Sequence, residues 1–411
     1  MDVIVERAAG LDVHQASIVA CVLIGRPGQK PRKEIRHFGT MTADLEALRD
    51  WLRELGVTHV GMESTGVYWK PVHTILEGHF TLIVANAHPI KAVPGRKTDV
   101  KDAEWIADLV RHGLVRPSFV PPPEIRELRD LLRHRRTLAE TLASERNRTL
   151  KLLETANIKL SSVATDVFGV SGTAMLKALV EGDMAPEAMA ELAKGRLRTK
   201  LEHLVKALQG RLTEHHGFLL RLHLRRLDEI ERDLAELEAR IADRMKPFRR
   251  QVNLLKRVPG IDEIIAAEII AEIGIDMTVF GNARRLAAWA GVCPGNHESA
   301  GRSRKTSTRK GNLYLKTTLF RAAVCAAKAK GTYYKEKYYR LKARLGAKRA
   351  AMAIAHKILV AVFHILAEGT EFRELGPAHL DRLHKHRVTK GLVRRLDALG
   401  YEVILRPKLA A

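Results

Sequence analysis

The apolar positions of the first 118 residues switch between two periods. Ala8–Val13 and Ser17–Leu23 alternate like strands joined by a tight turn, and Glu34–Phe38 reads as a third strand. Leu45, Leu48, Leu52 and Leu55 then recur at helical spacing. His59–Met62 predicts a short buried strand, Val67–Leu76 a helix and Thr81–Ala85 another strand. After Pro94-Gly95 a helix is predicted from near Asp99 to about His112, stopping before Gly113. Three early strands followed by alternating helices and strands predict an α/β domain around a mixed sheet, residues 1–118. Val3–Val5 also has a strand-like pattern, and with Asp2 and Glu6 around it the segment does not read as a signal peptide.

Pro121-Pro122-Pro123 is a stiff break, and beyond it the pattern turns helical. Residues 119–250 read as a helical, coiled-coil linker with an insert. Leu128, Leu131, Leu138 and Leu142 line one helix face, while Arg133, Arg135, Arg136, Arg146 and Arg148 crowd the others. The insert, residues 156–215, is punctuated by Gly169, Gly172, Gly182 and Pro186. Leu227, Ile230, Leu234, Leu237 and Ile241 then form a short a/d seam, suited to a helical hairpin or a dimer contact. Residues 251–376 predict a mostly helical C-terminal domain, followed by a basic tail, 377–411. Within that domain Val258-Pro259-Gly260-Ile261 and the apolar helix Glu263–Ile273 resemble one half of a helix-hairpin-helix, a turn that aims N–H groups at phosphate. The longest uncharged run, Ile358–Ala367, is about half of the ~20 residues a membrane span needs, so it predicts a buried helix and no membrane partner.

Charge changes the picture from fold to partner. The chain carries a formal net charge of +23 at pH 7, which points to a polyanion. Between Arg302 and Arg349 there are 16 Lys and Arg against one acid, Glu336, with Tyr314, Tyr333, Tyr334, Tyr338 and Tyr339 interleaved. Cys21, Cys293 and Cys325 include no C-x-x-C pair, so neither a disulfide framework nor a zinc knuckle is expected, and a reducing cytoplasm is the natural compartment.

Four acids fall at element ends of the first domain: Asp12 near the end of the first strand, Glu63 after His59–Met62, and Asp99 and Asp102 at i, i+3 on one face of a helix start. Phosphodiester chemistry uses hard oxygen ligands of this kind to hold two Mg²⁺ ions about 3.5–4 Å apart. Singly, each acid also reads as a turn cap, a solvated loop acid or a helix N-cap. A second cluster runs from Gly291 to Asn312 and mixes glycines with Ser299, Ser303, Thr306, Ser307 and Thr308 and with Arg302, Arg304, Lys305, Arg309 and Lys310; Lys316 follows. Glycines let backbone approach a ligand and the cations can neutralise phosphates. A serine there could attack phosphorus, or all five hydroxyls could merely hydrogen-bond phosphate. Composition does not choose among them.

The two clusters together resemble the DEDD transposases of the insertion sequence 110 and 1111 family, across nearly the whole chain. Gly10-Leu11-Asp12-Val13-His14, Met62-Glu63-Ser64-Thr65-Gly66 and Thr98-Asp99-x-x-Asp102-Ala103 are similar to that family's RuvC-like (ribonuclease-H-fold) motifs. Val258-Pro259-Gly260-Ile261, Ala290-Gly291-Val292-x-Pro294 and Ser299-x-Gly301 are similar to its C-terminal transposase domain, and Ala156–Leu160 to the 1111 branch. The resemblance implies that Asp12, Glu63, Asp99 and Asp102 bind Mg²⁺, with Mn²⁺ able to substitute, and that Ser299 is the nucleophile of a composite site forming a 5′-phosphoserine. It implies double-stranded donor and target DNA as partners, a structured guide RNA, a homodimer or homotetramer, and a place at the bacterial nucleoid. Arg302, Arg304, Lys305, Arg309, Lys310 and Lys316 are the expected nucleic-acid contacts. Where the family often carries Lys after Ser-x-Gly, this chain has Arg302, which keeps the charge but cannot carry a proton. A RuvC-type junction nuclease using water, or a non-catalytic nucleic-acid scaffold, are the competing readings.

Overall fold

The computed structural model describes residues 3–64, 66–85, 99–115, 117–294, 298–299, 302–303, 308–383 and 385–406, in two units, Met1–Val120 and Pro121–Ala411. In the first unit, strands β1 (Arg7–Val13), β2 (Ile18–Ile24) and β3 (Arg32–Phe38) form an antiparallel meander. After helix α1 (Thr42–Glu54), strand β4 (His59–Glu63) joins the other edge of β1 in parallel; α2 (Trp69–Leu76) leads to β5 (Thr81–Ala85), parallel to β4. The sheet order is β3-β2-β1-β4-β5, a mixed sheet of the ribonuclease-H-like kind predicted. Strand β4 runs one residue further than the apolar run suggested and includes Glu63. Val3–Val5 is not a strand: the N–H groups of Ile4 and Val5 both donate to the Arg111 carbonyl, at 3.0 and 3.1 Å, so they meet a helix end rather than a ladder.

Period-2 alternation divides the sheet into two faces. Ala9, Leu11, Ile18, Ala20, Val22, Val60 and Met62 bury one face against Leu45, Leu48 and Leu52 of α1 and Val72 and Leu76 of α2. The other face takes helix α3 (Asp99–Arg111), whose Ala103 and Ala107 pack on Val19, Cys21 and Leu23. Two glycines set that approach. A Cβ on Gly10 would lie 2.1 Å from the Ala103 carbonyl oxygen and 2.4 Å from the Ala107 nitrogen, and one on Gly61 would lie 2.5 Å from Val110. Because the Arg111 end of α3 meets the start of β1, the helix runs antiparallel to that strand.

Among its described residues the second unit is helical apart from one short antiparallel strand pair and an isolated bridge. Helix α4 (Pro123–Thr155) begins with proline at its first turn, where the absent N–H has no intrahelical role. After a four-helix insert, α5 (Leu160–Val163), α6 (Val170–Glu181), α7 (Pro186–Ala190) and α8 (Leu201–Leu208), helix α9 (Glu214–Arg244) returns antiparallel to α4. Leu227, Ile230 and Ile241 are buried and Leu234 and Leu237 half-buried, so the a/d seam belongs to an intrachain hairpin. The expected apolar face of α4 is shifted: Ile125, Leu128, Leu132 and Leu153 are buried, while Leu131, Leu138 and Leu142 are half-buried. Two partners cover different stripes of it: α9 along most of its length, from Glu127 to Arg146, and helix α11 (Glu263–Ile273) beside its N-terminal half, at Arg129 and Arg133.

Helices α10 (Arg249–Leu255) and α11 flank the Val258–Ile261 turn. Gly260 has φ +89°, and a Cβ there would lie 2.2 Å from the Ala322 carbonyl oxygen, so the turn packs on helix α13 (Leu313–Ala326). Asp262 already caps α11 by accepting from the Ile265 N–H at 2.8 Å. The predicted helix–turn–helix is therefore present, its turn packed on α13 and its second helix capped by a carboxylate. Helix α12 (Ala283–Ala290), α13 and α14 (Tyr333–Leu345) surround α15 (Ala347–Glu368), burying Ile354, Ile358, Leu359 and Val362. By length and composition α15 is apolar enough to cross a membrane; here these side chains face neighbouring helices. The basic tail forms two further helices, α16 (His379–Leu383) and α17 (Lys385–Ala398).

Candidate catalytic site

Asp12 and Glu63 come from neighbouring parallel strands. The ladder pairs Gly10 with Gly61 and Leu11 with Met62, so these acids are the next residues on adjacent strands, which lie about 4.8 Å apart. Both share the face of Gly10 and Gly61, the one covered by α3. Since α3 is antiparallel to β1, its first turn, with Asp99 and Asp102, lies toward the Asp12 end of the sheet. Asp99 is described by its backbone alone. Asp12, Glu63 and Asp102 are each half-buried. His14 Nε2 lies 3.2 Å from Asp12 Oδ2, so the ring steadies that carboxylate. An all-carboxylate donor set suits a hard cation such as Mg²⁺. Asp12 and Glu63 fit as a pair, although among the described residues no group of three or more His, Cys, Asp or Glu converges into a metal cage.

Ser299 lies in a different setting, in the second unit. Strands β6 (Glu298–Ser299) and β7 (Arg302–Ser303) pair antiparallel, with Ser299 opposite Arg302 and two residues between them in the chain. Ser299 is thus the last residue of its strand. Arg304, Lys305, Thr306 and Ser307 lie outside the described residues. The base of this excursion is pinned at several points. Pro294 and Thr308 form an isolated bridge, the Arg309 N–H donates to the Cys293 carbonyl at 3.4 Å, and Lys316 Nζ donates to Thr308 Oγ1 at 2.5 Å. Gly291 (φ +71°) and Gly311 pack backbone to backbone: a Cβ on Gly311 would lie 2.5 Å from the Gly291 nitrogen. Lys316 is therefore engaged with Thr308, while Arg309 and Lys310 are exposed.

Sequence reasoning missed a polar network inside α11. Glu268 and Glu272 are buried, 7% and 3% exposed, in an otherwise apolar helix. Arg133 grips Glu272 through Nε and Nη2, both at 2.8 Å, and Arg321 and Thr318 hold Glu268. The signal was legible: two acids four residues apart in Glu263–Ile273 share a helix face that must be covered.

The arginines that crowd α4 are paired within the chain. Arg135 pairs with Glu238, Arg136 with Glu140, Arg146 with Glu231 and Arg148 with Glu145. Cations cluster where α14 meets α15, around Lys337. Burial, and then the neighbouring Lys357, Arg340 and Arg344, hold the Lys337 ammonium below the ordinary lysine range. The tyrosines divide as well. Tyr334 is buried, and Arg133 covers Tyr314 at 4.1 Å, leaving Tyr339 the most exposed ring of α14.

Residues 9–158 match the family model of DEDD transposases of the IS110 type, described as Transposase, and residues 252–340 match that of the Transposase IS116/IS110/IS902 family. A Pseudomonas aeruginosa protein named "Probable family 20 transposase" is 27% identical over 332 residues, covering 79% of this chain and 89% of its own length. The "Insertion element IS900 uncharacterized 42 kDa protein" of Mycobacterium paratuberculosis is 25% identical over 245 residues, covering 52% of this chain and 60% of its own.

Proposed function

The chain belongs to the IS110/IS116/IS902 family of insertion-sequence transposases, and on that premise we propose that it cuts and rejoins DNA through a covalent serine intermediate. The observation that carries the reading is the pairing of Asp12 and Glu63 at the ends of adjacent parallel strands, under a helix that brings Asp102 to the same end. Asp12, Glu63, Asp99 and Asp102 would hold Mg²⁺, which supplies charge stabilisation for the leaving oxygen when bound. His14 keeps the Asp12 carboxylate oriented through its ring nitrogen.

Ser299 Oγ attacks phosphorus and the P–O3′ bond breaks. The 3′-oxygen leaves as a hydroxyl, taking up the proton that the serine gives up, and the 5′-phosphate stays on Ser299. A second 3′-hydroxyl reverses the step, returning the proton to serine and conserving the phosphodiester. Arg302, Arg304 and Lys305 flank Ser299 in sequence and would offset phosphoryl charge; Arg309 and Lys310 would track the backbone. The basic face of α14 and α15, with Tyr339 exposed, suits a structured guide RNA with unpaired bases. The working species would be a homodimer or homotetramer.

Denaturing gels with end-labelled donor and target DNA test the chemistry. The wild type should give a protein–DNA adduct mapping to Ser299 and joined products, and Ser299→Ala neither. An adduct on Ser303 or a tyrosine would move the nucleophile; cleavage without any adduct would favour hydrolysis by water. Recombination by protein reconstituted free of RNA would remove the guide.

A further inference from the structure

Beyond Glu63 the Ser64 N–H still donates to the Ala85 carbonyl at 2.8 Å, so the contact with β5 continues one residue past the carboxylate. The chain then turns at Gly66, whose φ of +63° an L side chain rarely adopts, and enters α2 at Trp69. Two aromatic residues meet there and part ways. Trp69 is half-buried, packed on the sheet core with its ring edge-on to His73 at 5.8 Å. Tyr68 is 43% exposed, and among the described residues its ring has no hydrogen-bond or ring partner. Beside it is the bare backbone of Gly66, where a Cβ would stand 3.7 Å from the ring carbons Cδ2 and Cε2. A tyrosine kept for packing buries its ring, and one kept for its hydroxyl bonds it. Tyr68 does neither.

We propose that Tyr68 stacks on a base of the DNA being cut, within a few nucleotides of the scissile phosphate. The inference rests on Asp12 and Glu63 holding the metal at that phosphate. Tyr68 follows Glu63 by five residues, so their Cα atoms are at most about 17 Å apart. That reach spans about five base steps of ~3.4 Å each. The other side of the same sheet end is also apolar. Phe38 pairs with Ile18 at the start of β2, and just beyond it Met41 is 75% exposed, while Thr40 Oγ1 donates to the Gln15 carbonyl at 2.9 Å. In the strand order β3-β2-β1-β4-β5, exposed apolar side chains therefore leave this end on both sides of Asp12. A phosphate gains nothing from such a rim, whereas every base offers it a flat apolar face.

The test uses full-length protein, labelled DNA and Mg²⁺, and measures the cleavage rate at limiting DNA together with the thermal midpoint. Tyr68→Ala should lower the rate by about 5- to 150-fold, the range for one lost base stack. Tyr68→Phe keeps the ring and should stay near wild type, and both midpoints should hold because the ring is exposed. A single abasic nucleotide is then moved through about five positions on either side of the cut. At one position it should slow wild type about as much as Tyr68→Ala does, and should slow Tyr68→Ala no further. Lost base pairing, or a disturbed α2, would instead make the two penalties multiply at every position, and that result overturns the inference. So does a wild-type rate for Tyr68→Ala, or a Tyr68→Phe as slow as Tyr68→Ala, which would assign the hydroxyl. Cleavage that survives both Asp12→Asn and EDTA removes the carboxylate site, and the stack with it. Cleavage that needs Asp12 and ignores Tyr68 removes the stack alone.

Discussion

Asp12 and Glu63 stand side by side because Leu11 and Met62, the residues before them, are paired rungs of the one parallel contact that β1 makes. Neither acid is placed by a loop. On the proposed metal-binding role, Asp12→Asn or Glu63→Gln should abolish DNA cleavage with little change in DNA affinity, since one hard ligand would be lost and the basic surface is untouched. EDTA should do the same to the wild type. Full cleavage in EDTA would rule out the metal reading.

Gly10 tests the link between helix and carboxylates. Its absent Cβ is what allows the Ala103 carbonyl to lie against β1. Gly10→Ala should cost about 3 kcal/mol of stability, since backbone rather than a flexible side chain must move. It should also shift Asp102 and weaken Mg²⁺-dependent cleavage beyond what the lost stability explains. A midpoint of thermal unfolding equal to wild type would mean the helix yields more easily than this packing allows.

The α4–α9 seam makes a contrasting prediction about mass. Leu227 is 4% exposed within one chain. Leu227→Ala should lower stability by about 2–5 kcal/mol and leave the light-scattering mass unchanged. Dissociation without destabilisation would show that the seam pairs between chains.

Burial pushes the Cys21 thiol up to about 11, Glu104 adds to the rise, and Lys33 opposes it. In the unfolded chain the thiol titrates near its ordinary value of 9.0. The stability it contributes is therefore complete below pH 9 and lost as pH rises toward 11. At pH 8 an alkylating reagent should label exposed Cys325 and spare Cys21, as peptide mass spectrometry would read. Equal labelling of the two would contradict the buried position.

The strands and helices of the first unit were legible because each buries one face, and period 2 or 3.6 then writes itself into Ala8–Val13 or Leu45–Leu55. Val3–Val5 misled because three apolar residues fit either a strand or a segment tied to a helix end, and local pattern does not name the partner. The face of α4 was misjudged for a similar reason: a helix covered on two sides at once, by α9 and by α11, has no single stripe. For the site, residue type and order gave the four acids, but their common end of the sheet depends on α3 running antiparallel to β1. The packing partner of the Val258–Ile261 turn was not legible because Ala322 and Ala326 lie some sixty residues further along the chain. The ion pairs of Arg135 and Arg146 were not legible because their partners on α9, Glu238 and Glu231, are about a hundred residues away.

Helices α4 and α9, 33 and 31 residues long, run together for a length of about 45–50 Å, and the insert between them has a core of its own. Leu153 at the end of α4 and Leu220 near the start of α9 both enter that core, so the chain leaves the pair and rejoins it at neighbouring points. Changing the length of such an excursion costs little closure entropy, because the cost grows only with the logarithm of loop length. That end of the hairpin is a graft point: a smaller, larger or unrelated head could be carried there without altering the register in which Glu127 meets Arg244 at the other end.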